Sequence, residues 1–483
     1  VKEYPRSLDA ASLKAVRLET VLQALPPDWH RDPLPEIQAL LSRSARQLVV
    51  LDDDPTGSQS VQNTPVLTEW GVSALQSETG REQAGFYVLT NSRSLPPEQA
   101  MALNREIGGN LAAISMRTGH EFAVISRGDS TLRGHFPHEV EALVGGLGVE
   151  FDAWLVIPAL PEAGRITIDD VHYVVEGEDV IPVGKTVYAR DATFGYQNSD
   201  LKEWVAEKTS GRILAKEVAS ISIESIRTGG PRQVCRELES LVHQRICIFN
   251  AVNRRDLEVI ALGVLLAEER GKRFLYRTGP SFVPARLGIV PYPLLTRDEL
   301  NLPKSVGGLI IVGSYVPKTT LQIDGLFANG DVERVEIQVE NLLGADQRHV
   351  EIARAASLAD EQIRNGRDTV IYTSRKLITG EDPTASLVIG QKISSGLIDI
   401  LHGIKTRPRY ILAKGGITSS DIATKGLGVK RALVSGQIIP GVSVWRLGSD
   451  SRYEDLAYLV FPGNVGGPNA LADVVVKLKP DPN

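Results

Sequence analysis

From Gln47 onward, short apolar runs alternate with stretches of helical periodicity, and no other feature limits the possible folds as tightly. Gln47–Leu51, Phe86–Thr90, Phe122–Ser126, Trp154–Pro158, Ile213–Ala215, Ile246–Asn250 and Phe274–Arg277 read as strands. Pro97 to Arg117, Pro137 to Val144, Pro231 to Gln244 and Asp256 to Arg270 read as helices between them. Such alternation predicts a mainly parallel sheet with helices on both faces. Val171 to Tyr188 differs: two β-rich runs flank Gly177, which predicts an antiparallel excursion. A Pro- and Gly-rich break over Pro284 to Val306 closes the series. A second one follows, with strands at Leu309–Val312, Val335–Val339, Thr369–Tyr372, Tyr410–Ala413, Ala432–Val434 and Tyr458–Phe461. Helices at Ala345 to Arg364 and Ser386 to Ile404 cover it.

The expectation is an α/β protein of two domains, 47–295 and 306–483, with mainly parallel sheets and a ligand cleft between them. A length of 483 residues agrees, being too great for one ordinary core. Residues 1–46 read as an N-terminal helical arm. Leu18, Val21, Leu22 and Leu25 recur at helical spacing, and Pro26-Pro27 stops them. The arm is expected to pack on the body or on a partner subunit, which makes a homodimer reasonable.

Net charge is -6 with no Lys/Arg-rich run, which disfavours a nucleic-acid partner. No apolar run approaches a bilayer span, and the N-terminus has no signal-peptide core, so no membrane partner is expected. Cys235 and Cys247 fall on an expected helix and strand as buried free thiols, which suits a reducing cytoplasm. Neither has a Cys or His neighbour at metal-site spacing. Gly184-Lys185-Thr186 lacks the preceding glycine of a P-loop, and no Gly-x-Gly-x-x-Gly opens a helix after a strand. His135, His138 and His172 have no helical His-x-x-x-His spacing and read as ordinary polar residues.

Chemistry collects at strand ends. The first strand runs into Asp52-Asp53-Asp54-Pro55-Thr56-Gly57, and three adjacent carboxylates give a fold no stability of their own. Neighbouring strands end in Asn91-Ser92-Arg93, in Arg127-Gly128-Asp129-Ser130-Thr131-Leu132-Arg133-Gly134, and in Pro161 to Arg165. Parallel strands bring these ends to one rim. There Asp53, Asp54 and Asp129 would face Arg93, Arg127, Arg133 and Arg165. Guanidinium forks take a carboxylate in bidentate fashion, and Asp accepts from a hydroxyl, so a small hydroxy acid suits the rim. Gly128 and Gly134 bracket Asp129 and Arg133, which suggests close backbone approach. In the second domain, strands end in Gly313-Ser314, Lys414-Gly415-Gly416-Ile417-Thr418 and Pro462-Gly463-Asn464-Val465-Gly466-Gly467. Glycines there form a floor for a flat or phosphorylated ligand, with a helix N-terminus near Thr418 to Asp421.

Asp53-Asp54-Pro55-Thr56-Gly57, Ser92-Arg93, Asp129-Ser130-Thr131-Leu132-Arg133-Gly134, Lys414-Gly415-Gly416-Ile417-Thr418 and Pro462-Gly463-Asn464-Val465-Gly466 stand in the order seen in four-carbon acid sugar kinases. The sequence resembles that family over nearly all of the chain after residue 47. The resemblance implies a sugar-acid domain followed by a nucleotide domain. It implies ATP-dependent phosphorylation of the terminal hydroxyl of threonate, erythronate or an oxo-tetronate. It places Asp53, Asp54, Ser92, Arg93, Asp129 and Arg133 at the sugar acid, and Ser314, Gly415, Gly416, Ile417, Thr418 and Gly463 at ATP. Arg127 joins the acid site from its strand end, where the family commonly has Lys. Ile417 stands where the family commonly has Glu, and Asp52 and Pro55 depart from its usual Asp-Asp-Leu-Thr-Gly. Asp54, ahead of Asp129, is expected to take the hydroxyl proton, and Mg²⁺ to neutralise the β and γ phosphates. The alternatives are a dehydrogenase or lyase on similar hydroxy acids, and a non-catalytic sensor of sugar acid and ATP.

Overall fold

A computed structural model describes residues 16–81, 83–313, 317–375, 378, 383–463 and 465–480. The chain divides into two units, Val1–Asp53 with Trp70–Pro291, and Asp54–Glu69 with Tyr292–Asn483. Both are α/β, as the alternation predicts.

In the first unit the strands lie in the order Ala219–Ile221, Arg245–Phe249, Ala153–Ile157, Phe274–Thr278, Glu121–Arg127, Arg46–Asp52, Gly85–Leu89. Every pairing among them is parallel. Continuous apolar runs such as Gln47–Leu51 fit this sheet because helices bury it on both faces. The helix Arg254–Glu269 is buried along most of its length, from Asp256 to Leu265. The expected excursion is a small antiparallel sheet of Arg165–Ile168, Val171–Glu176 and Asp179–Pro182, extended by Val16–Arg17 from the arm. Ile213–Ala215 is not a strand. Local bonds take its backbone instead: Ile213 N donates to Thr209 Oγ1 and Leu214 N to Glu217 Oε2, and the strand starts at Ala219.

The arm packs on its own unit. Its helices are Leu18–Gln23 and Leu34–Leu41. Leu18, Val21 and Leu25 cover Ile166, Ile168, Val180, Ile223 and Val252. Both cysteines are buried free thiols, on the helix Gly230–Glu239 and the strand Arg245–Phe249.

The second unit orders its strands Thr64–Leu67, Arg431–Ile439, Val442–Leu447, Ala457–Phe461, Ile411–Lys414, Leu309–Val312, Thr369–Thr373, Glu333–Ile337. The last five are parallel, and the first three join antiparallel. The alternation foretold the parallel part only. Val442–Leu447 has strands and no helix on either side in sequence, and its hairpin with Arg431–Ile439 comes from a tight turn at Pro440-Gly441, with Gly441 at φ +82°. Trp445 Nε1 donates to Ser58 Oγ at 3.0 Å, tying the 54–69 segment into this unit.

Candidate functional site

The strand Arg46–Asp52 has Gly85–Leu89 on one side and Glu121–Arg127 on the other. The chain leaving it turns to one neighbour, while the chain leaving Glu121–Arg127 turns the opposite way. Open α/β sheets hold ligands where connections diverge like this, outside the carboxyl ends of the strands. Register sets Asp52 beside Arg127 and Ser126 beside Arg277.

Around that crevice the structure gathers acids and guanidiniums. Arg127 Nη1 reaches Asp53 Oδ1 at 2.8 Å and Asp52 Oδ1 at 3.0 Å. Arg93 spans Asp53 Oδ1 at 3.4 Å and Asp129 Oδ1 at 3.6 Å. Arg133 Nε donates to Asp129 Oδ2 at 2.7 Å, and the Thr131 hydroxyl donates to the same oxygen. Ser92 is turned away from these oxygens, and its hydroxyl donates to Glu139 Oε2 at 3.2 Å. Arg165 stacks over Tyr188, as Arg133 does.

Burial pushes the Asp53 carboxyl above the usual carboxylate range, against the pull of Arg93, Arg127 and Arg277. Asp129 goes the other way. Burial acts to raise it, but Arg93, Arg133 and the hydrogen bonds of Thr131 and Arg133 together outweigh that and hold it at about 2. Asp129 is thus a permanent anion, good for accepting from a ligand hydroxyl and poor as a base near neutral pH. Guanidiniums beside fixed carboxylates are the groups that recognise an anionic hydroxy acid. A cleft with room for about one water opens beside Asp129, lined by Leu132, Val156, Pro158, Trp204, Arg277 and Thr278.

The motif loop is held from outside. His172 Nε2 lies 2.7 Å from Ser130 O, with Thr167 Oγ1 at 2.9 Å from Nδ1, which fixes Nε2–H as the donor. Tyr196 OH donates to Thr131 O at 2.6 Å. His135 Nε2 stands 3.1 Å from Ser92 O and 3.0 Å from Leu95 O.

Asp54 lies on the second unit's side of the division. Its Oδ1 accepts from Thr56 N at 2.8 Å and from Thr56 Oγ1 at 2.6 Å. A Cβ built on Gly416 would stand 3.1 Å from Asp54 Oδ2, so this carboxylate borders the Gly415–Gly416 turn. Gly415 takes φ +107°, and the helix after it starts at Gly416, two residues ahead of the expected Thr418. A Cβ on Gly313 would meet Thr418 Oγ1 at 2.7 Å, so the strand ends at 313 and 415–418 lie together. Ile417 is exposed. Nothing crowds Gly463 within 4 Å of where a Cβ would stand. Ser314 lies outside the described residues.

A sugar-binding N-terminal domain family matches residues 48–286, and a nucleotide-binding C-terminal domain family matches residues 309–471. The chain belongs to the four-carbon acid sugar kinase family. Solved structures share the fold of this family member. One, from Salmonella typhimurium LT2 and carrying a provisional tRNA-synthase name, is 16% identical with a TM-score of 0.64, covering 89% of this chain and 98% of that one. Another, from Haemophilus influenzae and of the DUF1537 family, is 17% identical with a TM-score of 0.60, covering 89% and 99%. No curated protein matches the chain.

Two residues at this family member's crevice escaped the sequence reading. Arg277 Nη1 pairs with Glu139 Oε1 at 2.5 Å and bonds Ser126 Oγ at 3.0 Å, all buried. The guanidinium occupies the space that Gly128 and Gly134 leave: Cβ atoms there would fall 2.2 Å from Arg277 Cζ and 2.7 Å from Arg277 Nη2. A charged residue inside the apolar run Phe274–Thr278 was the available signal.

Proposed function

We propose that the protein is an ATP-dependent kinase of a four-carbon sugar acid (threonate, erythronate or an oxo-tetronate), phosphorylating its terminal hydroxyl. The observation that carries the reading is the crevice of Arg93, Arg127, Arg133 and Arg277 interleaved with Asp53 and Asp129, in the domain matched as sugar-binding on a chain whose other domain is matched as nucleotide-binding.

In this reading the guanidiniums take the acid's carboxylate, with Asp53 and Asp129 accepting from its hydroxyls. Phosphoryl transfer is mostly positioning and charge stabilisation, so the fixed ion pairs serve by holding one substrate pose. Of the two candidate bases, Asp129 is held as an anion by Arg93 and Arg133, and this reading gives Asp54 the task of orienting the terminal hydroxyl and taking its proton. Among the described residues no group of three or more His, Cys, Asp or Glu is arranged to hold a metal ion. In this reading magnesium would neutralise the nucleotide phosphates, and no step is derived through it. A homodimer and a cytoplasmic setting belong to the same reading.

ADP release on mixing ATP with the stereoisomers of threonate, erythronate and oxo-tetronate tests it. One acid should give turnover, and Asp54→Ala should cut kcat at least 100-fold with ATP affinity kept. No ADP from any acid, or undiminished turnover in the variant, would refute the respective assignment.

A further inference from the structure

The nucleotide-matched unit contains two costly side chains for which the kinase reading has no use. Lys414 ends the central strand Ile411–Lys414 and is wholly buried. Its ammonium donates to Pro462 O at 2.8 Å and to Gly463 O at 3.4 Å, and lies 4.2 Å above the Phe461 ring. Gln322, on the helix Pro317–Asn329, is also wholly buried. Its Nε2 faces three more carbonyls of the same turn: Val465 O at 2.9 Å, Gly466 O at 3.4 Å and Gly467 O at 3.0 Å. Its Oε1 is buried with no hydrogen-bond partner among the described residues. A buried ammonium answered by carbonyls and a half-satisfied buried amide are both expensive. Packing alone does not reward them, since Met and Leu would fill the same space.

What the two donors accomplish is to fix the direction of a glycine-rich turn. In a trans peptide the C=O of one residue points opposite to the N–H of the next. With the carbonyls of Pro462, Val465 and Gly466 drawn inward, the amides of Gly463, Gly466 and Gly467 point outward. Gly467 O also faces in, and the next residue, Pro468, has no N–H to lose. Gly466 and Gly467 are exposed. Backbone amides turned outward over a buried positive charge favour an anion.

We propose that Lys414 and Gln322 are positioning residues for the nucleotide's phosphate chain: they hold the carbonyls of Pro462, Val465 and Gly466 inward, so that the amides of Gly463, Gly466 and Gly467 receive the phosphates with the ammonium's charge behind them. The inference rests on the nucleotide reading of this unit and not on the identity of the acid. Burial, with Lys318 nearby, draws the Lys414 ammonium down to about 7. Lys318 comes from the helix Pro317–Asn329, while the flanking strands set only Val312 and Phe461 beside Lys414. The ammonium is charged below that pH and neutral above it, so phosphate affinity should fall as pH rises through 7 to 8.

The test is titration calorimetry of ATP and of adenosine on the full chain, from pH 6 to 8.5, in wild type, Lys414→Met, Lys414→Arg and Gln322→Leu. Lys414→Met and Gln322→Leu should each weaken ATP at least tenfold and adenosine less than twofold. The wild-type dissociation constant for ATP should rise several-fold over that pH range, and both Lys414 variants should lose this slope. Lys414→Arg, keeping the charge, should retain most of the affinity at high pH. Gln322→Leu carries the test by itself should Lys414→Met not fold. Unchanged ATP-over-adenosine preference in the folded variants, or a slope that survives Lys414→Met, would overturn the inference. A wild-type chain that binds no ATP would bring down the nucleotide reading and the inference with it.

Discussion

A single missing methyl decides the shape of the acid crevice. The Arg277 guanidinium can reach Glu139 and Ser126 because Gly128 offers no Cβ in its path. Gly128→Ala would force the guanidinium aside and leave the buried Glu139 without its partner, a change worth about 3 kcal/mol in stability. We expect a melting temperature several degrees lower and an affinity for the sugar acid at least tenfold weaker, with ATP binding unchanged in calorimetry. His172 gives a second expectation. Burial lowers its pKa from 6.5 to about 4, with the Ser130 carbonyl opposing. Between those values the unfolded chain binds a proton that the folded chain refuses. Stability from the neutral ring is therefore complete above pH 6.5 and drains away as pH falls toward 4, by at most about 1.4 kcal/mol per pH unit. Denaturant melts at pH 7.5, 6 and 4.5 should show a steeper loss in wild type than in His172→Gln. Parallel losses would mean that another group governs the acid limb.

Among the elements, the N-terminal arm and the antiparallel excursion behave as braces. Residues 16–17 add a strand to the excursion, and the excursion supplies His172 to the motif loop. At the other end of the arm, Trp29 lies flat against Gly230, where a Cβ would stand 2.4 Å from the ring. Gly230 also has φ +66°, which penalises any L side chain. Gly230→Ala should therefore cost about 2 kcal/mol or more, read as a lower urea midpoint with an unchanged slope. The helical character of the arm was legible from the spacing of Leu18, Val21 and Leu25. Its strand pairing was not, because two residues carry no period. The antiparallel edge of the second unit went unread for a related reason. Val442–Leu447 sets Ser443 and Arg446 among four apolar residues, which is neither a continuous apolar run nor a strict alternation.

For the molecule as a whole, the chain crosses between its units after Asp53, after Glu69 and after Pro291. No residue pattern in 54–69 announces that it packs with such distant sequence, since Ser58 meets Trp445, 387 residues on, only through the fold. Hydrogen exchange gives a readout at this scale. The acid should protect amides around 52–54 and 126–135, and ATP those around 413–421 and 463–467. Protection by ATP confined to 126–135 would contradict the division of labour.

Strand ends rich in Asp, Arg and Gly were readable because polar residues directly after an apolar run have few roles besides turning the chain or binding something. That is a local property, and sequence holds local properties in full. Arg277 and Glu139 were not readable, since a charge inside an apolar element gains meaning only from the partner facing it. Lys414 and Gln322 belong to the same class: their donors meet carbonyls far away in the chain, and the backbone alone brings them together. The one-dimensional string thus determined the α/β class and the strand ends that carry the acid, guanidinium and glycine motifs. Three-dimensional packing decided which buried charges meet, because pairing energies depend on distance through space rather than along the chain.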